Sequence, residues 1–251
     1  LGSYAYFQKI PFAISKRKDA FTLLLSSLFF AGHWVTYFYA LQISSVAIGM
    51  LSLFTFPAIT ALLEPLYFQT TFNKRHLFLT FLAIVGLSFM IPEINFSNNN
   101  TQGIAWGVVS ALCYALRNLT MKSNSQKYDS AVLMFYQFLF VTLCFAPFLP
   151  DSNASKTIAS FEYLLFLGVF TTAIGHTLFV KSFKNFSIAT ASIIASSQPL
   201  FGVILGYLFL HEMPNKWVLI GGCVVLSSVF VESLHSQKNN SQRNGRGYTR
   251  N

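Results

Sequence analysis

The sequence predicts an all-α integral membrane protein, and three observations carry that prediction. Hydrophobic residues make up 53% of the 251 positions and charged residues only 10%, against about 25% charged in an average soluble domain. Apolar stretches recur along the chain at close to the about 20 residues that a helix needs to cross a bilayer. Finally, residues 188–212 (IATASIIASSQPLFGVILGYLFLHE) repeat the plan of residues 46–70 (VAIGMLSLFTFPAITALLEPLYFQT) at a constant separation. Pro57 and Pro199 lie 142 residues apart, and the same separation joins Ser45 to Ser187, Ala47 to Ala189, Asn73 to Asn215, Lys74 to Lys216 and Leu77 to Leu219.

Taken in order, residues 1–14 are apolar but too short to span, and read as the tail of a helix whose start is missing. The basic loop Lys16-Arg17-Lys18-Asp19 follows. Eight complete spans are then expected, at residues 21–42, 45–68, 77–93, 103–122, 131–150, 161–182, 188–210 and 217–234. Connections as short as Ile43-Ser44, or that from His211 to Lys216, require neighbouring helices to form antiparallel hairpins. Residues 235–251 are polar and basic, and are expected to form a disordered cytoplasmic tail able to touch anionic lipid.

Charge sets the orientation. With the first basic loop inside, thirteen basic residues fall on the inner side and two, Lys156 and Lys216, outside. That asymmetry follows the positive-inside rule and puts the C-terminus in the cytoplasm. The same distribution argues against nucleic acid as a partner, because the net charge of +9 is spread over short loops and the tail. The Asn-rich loop from Asn95 to Gln102, with N-x-[ST] patterns at Asn95 and Asn99, falls outside and is a polar, exposed connection. Cys113, Cys144 and Cys223 lie in apolar stretches with no metal-ligand or disulfide spacing, so neither a metal nor a cofactor is expected.

The repeat divides the chain into a first copy at residues 1–94, truncated at its start, and a second at 103–234. Restoring the first copy to the length of the second requires about 39 further residues before Leu1, which would complete two inverted five-helix repeats. An odd number of crossings per copy turns the second copy over in the membrane, an arrangement that commonly builds a substrate site near the midplane.

The two units FYALQISSVAIGMLSLFTFPAITALLEPLYF and FVKSFKNFSIATASIIASSQPLFGVILGYLFLHE, each followed by a further apolar helix, resemble the drug/metabolite transporter superfamily, specifically its EamA-type ten-helix exporters. The family pattern is a short loop, small residues, a mid-helix Pro and a Glu just after the helix. Pro199 and Glu212 fit it in the second copy; in the first, Pro57 fits but the Glu position is Thr70. The resemblance implies a secondary transporter exporting small metabolites or amino-acid-like solutes across a bacterial cytoplasmic membrane by alternating access. It also implies a small-molecule substrate in a lipid setting.

Enzyme chemistry finds no support. His211-Glu212-Met213-Pro214-Asn215 begins like HExxH but lacks its second His, and neither GxSxG nor a phosphate-binding GxxxxGK[ST] occurs. An intramembrane hydrolase and a non-transporting scaffold subunit are the readings from other classes. Gly103 with Gly107, and Gly202 with Gly206, form GxxxG pairs that allow close helix packing within one chain or in a homodimer.

The candidate substrate-binding residues are His33, Pro57, Glu64, Arg117, Gln137, His176, Gln198 and Pro199. Each proline removes a helix hydrogen bond inside a span and so frees a carbonyl. Glu64, Arg117 and His176 lie four, five and six residues from the inner ends of their spans, about 6–9 Å deep at about 1.5 Å per residue. Opposite charges at one depth among apolar residues are expected to pair, so Glu64 and Arg117 should form a polar layer with His176, joined by Gln137 from its own span. His33 and Gln198 are expected nearer the midplane. Glu212, at the outer end of its helix, is expected to serve the turn that follows it.

Overall fold

A computed structural model of the chain describes residues 1–44, 46–89, 99–146 and 161–198, together with 201, 208, 216, 217, 220, 221, 223, 224, 226–228, 230, 231 and 234. Among the described residues every regular element is helical. In chain order these are α1 (Gly2–Phe7), α2 (Arg17–Ile43), α3 (Val46–Leu53), α4 (Phe56–Phe68), α5 (Lys74–Phe89), α6 (Asn99–Ser125), α7 (Ser130–Phe145) and α8 (Phe161–Phe166). A π-helical segment, Leu167–Gly175, follows, then α9 (His176–Ser182) and α10 (Ile188–Ala195). Among the described residues, three helical stretches are long and apolar enough to cross a membrane: Arg17–Ile43, Thr101–Ser125 and the continuous run Phe161–Ser182.

The chain divides into two compact units, one of Leu1–Gly32 with Leu116–Asn185, the other of His33–Ala115 with Phe186–Asn251. Each unit therefore draws on both halves of the chain. In the first unit the start of α2 is tied to the end of α6. Asp19 takes Lys127 Nζ at 2.6 Å on one carboxylate oxygen and the Tyr128 hydroxyl at 2.9 Å on the other, while Asn124 donates to its carbonyl at 2.9 Å. Asp129 begins α7 by accepting from the Ala131 N–H at 2.8 Å, as a helix-capping carboxylate should. The last turn of α9 is held by Lys122 and Gln126, which both donate to the Phe183 carbonyl and so meet the negative end of that helix.

In the second unit the expected span at residues 45–68 is two helices. α3 stops at Leu53, the chain turns through Phe54 and Thr55, and α4 restarts at Phe56 with Pro57 in its first turn. Pro57 thus starts a helix where an interior kink was expected. A helix's first turn has no acceptor for its N–H groups, so a residue without one costs little there. A carbonyl is still released: Leu53 loses its donor four residues on, and Ala58 donates to Thr55 at 3.0 Å. Ile188–Ala195 in α10 repeats Val46–Leu53 in α3 at the same 142-residue separation, and the chain turns again at Ser196-Ser197 before helix resumes at Gln198. α10 packs against both α4 and α5.

The Gly103 and Gly107 pair lets α6 approach α2 and α3 closely. A Cβ on Gly103 would lie 2.3 Å from Ser44 Oγ, and one on Gly107 would lie 2.4 Å from Ser52 Cβ. This small-residue face is therefore spent on contacts inside the chain. Gly202 and Gly206 lie outside the described residues.

Replacing Gly107 with Leu is expected to destabilise the protein by about 1–3 kcal/mol through overpacking, read as a lower melting temperature in detergent. Gly168, whose added Cβ would meet nothing within 4 Å, is the control: Gly168→Ala should leave the melting temperature unlowered.

Candidate functional site

The first unit encloses a guanidinium. Arg117 on α6 is fully buried, as are its neighbours Asn118 and Gln137. A buried charge in apolar surroundings is tolerated only when its donors are satisfied. Gln137 on α7 accepts from Arg117 Nη2 at 2.6 Å and Nε at 3.1 Å through one carboxamide oxygen. Nη1 reaches Asn118 Oδ1 at 2.9 Å, Nη2 also reaches Met134 Sδ at 2.9 Å, and the Phe30 ring lies 4.7 Å from Arg117 Cζ, where its π face favours the cation. Because a guanidinium has no acceptor, the Gln137 oxygen must face it and the amide nitrogen must turn away. That nitrogen donates to Ser26 Oγ at 2.7 Å, and Ser26 donates to the Leu23 carbonyl. Asn118 Nδ2 is buried without a partner. His176, at the start of α9, meets the edge of Phe30 at 5.3 Å between ring centroids and Phe138 at 6.2 Å.

The second unit holds His33, 4% exposed. Its Nδ1 lies 2.8 Å from Ser110 Oγ, and Ser110 donates to the His33 carbonyl at 3.1 Å. Ser110 is thus within hydrogen-bond reach of both the ring and the backbone of His33. Tyr114 lies 4.7 Å from the imidazole, Trp34 5.4 Å and Tyr37 5.9 Å, the last nearly parallel. Phe56 closes on Tyr114 edge-on at 4.9 Å, so the break before Pro57 places an aromatic ring against the wall around His33.

Glu64 on α4 lies in this second unit too. Its two oxygens accept from the backbone N–H groups of Ile188 and Ala189, each at 2.8 Å. Ser187 caps the same helix by accepting from the Thr190 N–H at 3.0 Å, and His76 Nε2 lies 3.5 Å from Thr190 Oγ1.

Of the residues expected from sequence, Arg117 and Gln137 are in contact and His176 joins them through Phe30. Glu64 was expected to pair with Arg117; instead both its oxygens are taken by the start of α10, because two adjacent backbone donors at a helix terminus suit a carboxylate as well as a guanidinium does. Pro57 is buried in the first turn of α4, Gln198 is exposed, and Pro199 and Glu212 lie outside the described residues. Sequence reasoning missed Ser26, Asn118, Ser110, Tyr37 and Tyr114. The signal for the first two was available: Asn118 follows Arg117 directly, and Ser26-Ser27 interrupts an otherwise apolar stretch.

Long apolar helices that enclose a guanidinium, carboxamides and an imidazole define a multi-pass membrane protein with a polar interior, the class to which solute transporters belong. The chain belongs to the EamA-like transporter family, whose model matches residues 1–91 and 101–234. An uncharacterized transporter of Archaeoglobus fulgidus is 28% identical over 233 residues, covering 91% of this chain and 82% of that protein. The pseudopaline exporter CntI of Pseudomonas aeruginosa is 20% identical over 205 residues, covering 81% and 72% respectively. One protein of solved crystal structure superposes with a TM-score of 0.72 at 13% identity, over 86% of this chain and 77% of its own, which shows the fold. The protein is a membrane transporter.

Gln137→Leu removes the acceptor for two guanidinium donors, and is expected to cost about 1.5–3 kcal/mol, the range for hydrogen bonds to a charged group. Combining it with Arg117→Met removes both partners, so the double variant should unfold at a temperature closer to the parent than additivity gives. Chemical or thermal unfolding of the four proteins of this cycle, in detergent, checks it.

Proposed function

We propose that this transporter is a secondary exporter of small metabolites or amino-acid-like solutes, working by alternating access across a bacterial cytoplasmic membrane. The observation that carries the reading is the fully buried Arg117, held by Gln137 and Asn118 within spans that are otherwise apolar. Burying a guanidinium among apolar helices is costly, and contact with a solute is a use that offsets the cost. Export as the direction is supported by the likeness to a pseudopaline exporter. The missing phosphate-binding motif leaves an ion or solute gradient as the source of drive.

The inverted-repeat reading is supported by the matched bounds of α3 and α10 and by the two ranges of the family match, which fall on either side of the Asn-rich loop. The distribution of the basic loops supports a cytoplasmic C-terminus. Arg117, Gln137 and His176 are assigned to cargo contact in the first unit, with Asn118 Nδ2 as a further donor for an acceptor group on the solute. In the second unit His33 is assigned the proton exchange, with Pro57 shaping its wall and Gln198 facing the cargo. Pro199 is assigned to the matching turn of the second copy.

The test is transport by the full-length protein in proteoliposomes, against a panel of radiolabelled metabolites, with and without a pH gradient. At least one solute should move, and Arg117→Gln should cut its rate by about tenfold, the worth of one hydrogen bond to a charged group. Failure to move any solute across the panel overturns the reading.

A further inference from the structure

We propose that Glu64 is the latch of a gate between α4 and α10, a positioning residue that holds one mouth of the transporter shut. The proposal rests on the transport reading above and deepens it by naming the side chain that sets the resting state.

The first turn of a helix leaves its N–H groups without acceptors, and a carboxylate there gains from both the hydrogen bonds and the positive end of the helix. In α10 the first such donors are all taken. Ile188 and Ala189 each give one bond of 2.8 Å to Glu64, and Thr190 gives one of 3.0 Å to Ser187. Ser187 belongs to the same segment as α10 and moves with it. Glu64 comes from a different helix, so its two bonds join α4 to α10 and must break if the two separate.

Each of the two helices also buries a hydroxyl one turn from the latch. Thr60, one turn before Glu64 on α4, and Ser192, one turn after Ile188 on α10, are both fully buried. Their hydroxyls have no partner, although elsewhere in the chain Ser27, Ser44 and Thr120 donate to the carbonyl four residues back. Burying an unbonded hydroxyl is unfavourable, and separation of the helices would hydrate both. The closed interface therefore carries opposed contributions, the carboxylate favouring closure and the hydroxyls favouring opening. A two-state gate requires a balance of that kind.

α4 is also hinged at both ends. It starts after the turn at Phe54 and Thr55, and it ends at Gln69, whose φ of 53° is left-handed; Pro65, immediately after Glu64, removes one further bond within it. The latch is not duplicated. The 142-residue separation pairs Glu64 with Gly206, which has no side chain to offer. One mouth thus has a carboxylate and its counterpart has none, which biases the resting protein towards closure at the Glu64 end, the end at which α4 is followed by the basic Lys74 and Arg75.

The test reads the gate without reference to cargo. In full-length protein with Cys113, Cys144 and Cys223 replaced by Ala, a single reporter, Thr60→Cys or Ser192→Cys, is labelled with a membrane-impermeant maleimide in inside-out and right-side-out vesicles. With Glu64 present, labelling should be slow. Glu64→Ala should raise the rate at least about tenfold, as expected for loss of two charge-assisted bonds, and only from the face bearing the basic loops. Glu64→Gln, which keeps the size of the side chain and one acceptor oxygen, should lie between them at an unchanged melting temperature. An unchanged rate in both variants overturns the latch. So does acceleration from both faces alike, or equal acceleration at Ala111→Cys, which is buried on α6, because either marks general loosening. Altered labelling with no solute transported would sink the transport reading and leave the latch; transport with unaltered labelling would do the reverse.

Discussion

A polar group inside a bilayer has no water to fall back on, and the partners it finds must come from the same chain. Arg117 shows how far that requirement reaches. A guanidinium presents five donors, and meeting them in the first unit engages the carboxamides of Gln137 and Asn118, the Met134 sulfur and the face of Phe30. Gln137 in turn has its amide orientation dictated by the cation, which sends its nitrogen to Ser26 on α2. The position of α7 relative to α2 and α6 is thereby fixed by hydrogen bonding at one depth, where apolar packing alone would allow sliding and rotation.

Packing in the second unit follows a different rule. There the helices approach over glycine and serine, with Gly103 against Ser44 and Gly107 against Ser52, and lipid tails compete poorly for so close a contact. The aromatic wall around His33 then fills what the small residues leave open, with Tyr37, Tyr114 and Trp34 arranged about one imidazole.

Much of the fold was legible because bilayer thickness and hydrophobicity act on stretches of sequence. The span expected at residues 103–122 is the core of α6, which extends from Asn99 to Ser125 by adding polar turns at its ends. The proximity of Arg117 and Gln137 was legible too. Rotation about each helix axis was not, and neither were the partners that carry no letter. The sequence shows two opposite charges at similar depth and invites an ion pair between Glu64 and Arg117. It cannot show that the start of α10 presents two adjacent N–H groups, since backbone donors are common to every residue and only the fold decides which are left over. The span at residues 45–68 was misread for a related reason. A proline within an apolar run has the same spelling whether it kinks a helix or begins one, and the tight turn at Phe54 and Thr55 decides between them.

Among the residues that recur at a separation of 142 are Ser45, Pro57, Asn73 and Lys74 at helix starts and turns, where they shape the backbone, together with leucines of the apolar stretches. The chemistry does not recur. His33 is paired with Gly175, His176 with Trp34, Glu64 with Gly206 and Ser192 with Met50. Two backbones of one design can exchange conformations at little cost, which gives a pair of states close in energy, as alternating access demands. Side chains that differ between the copies then break the tie, because an interaction available in only one arrangement shifts the population by its whole free energy. Glu64, which stands opposite Gly206 at this separation, and His33, which stands opposite Gly175, make interactions of that single kind.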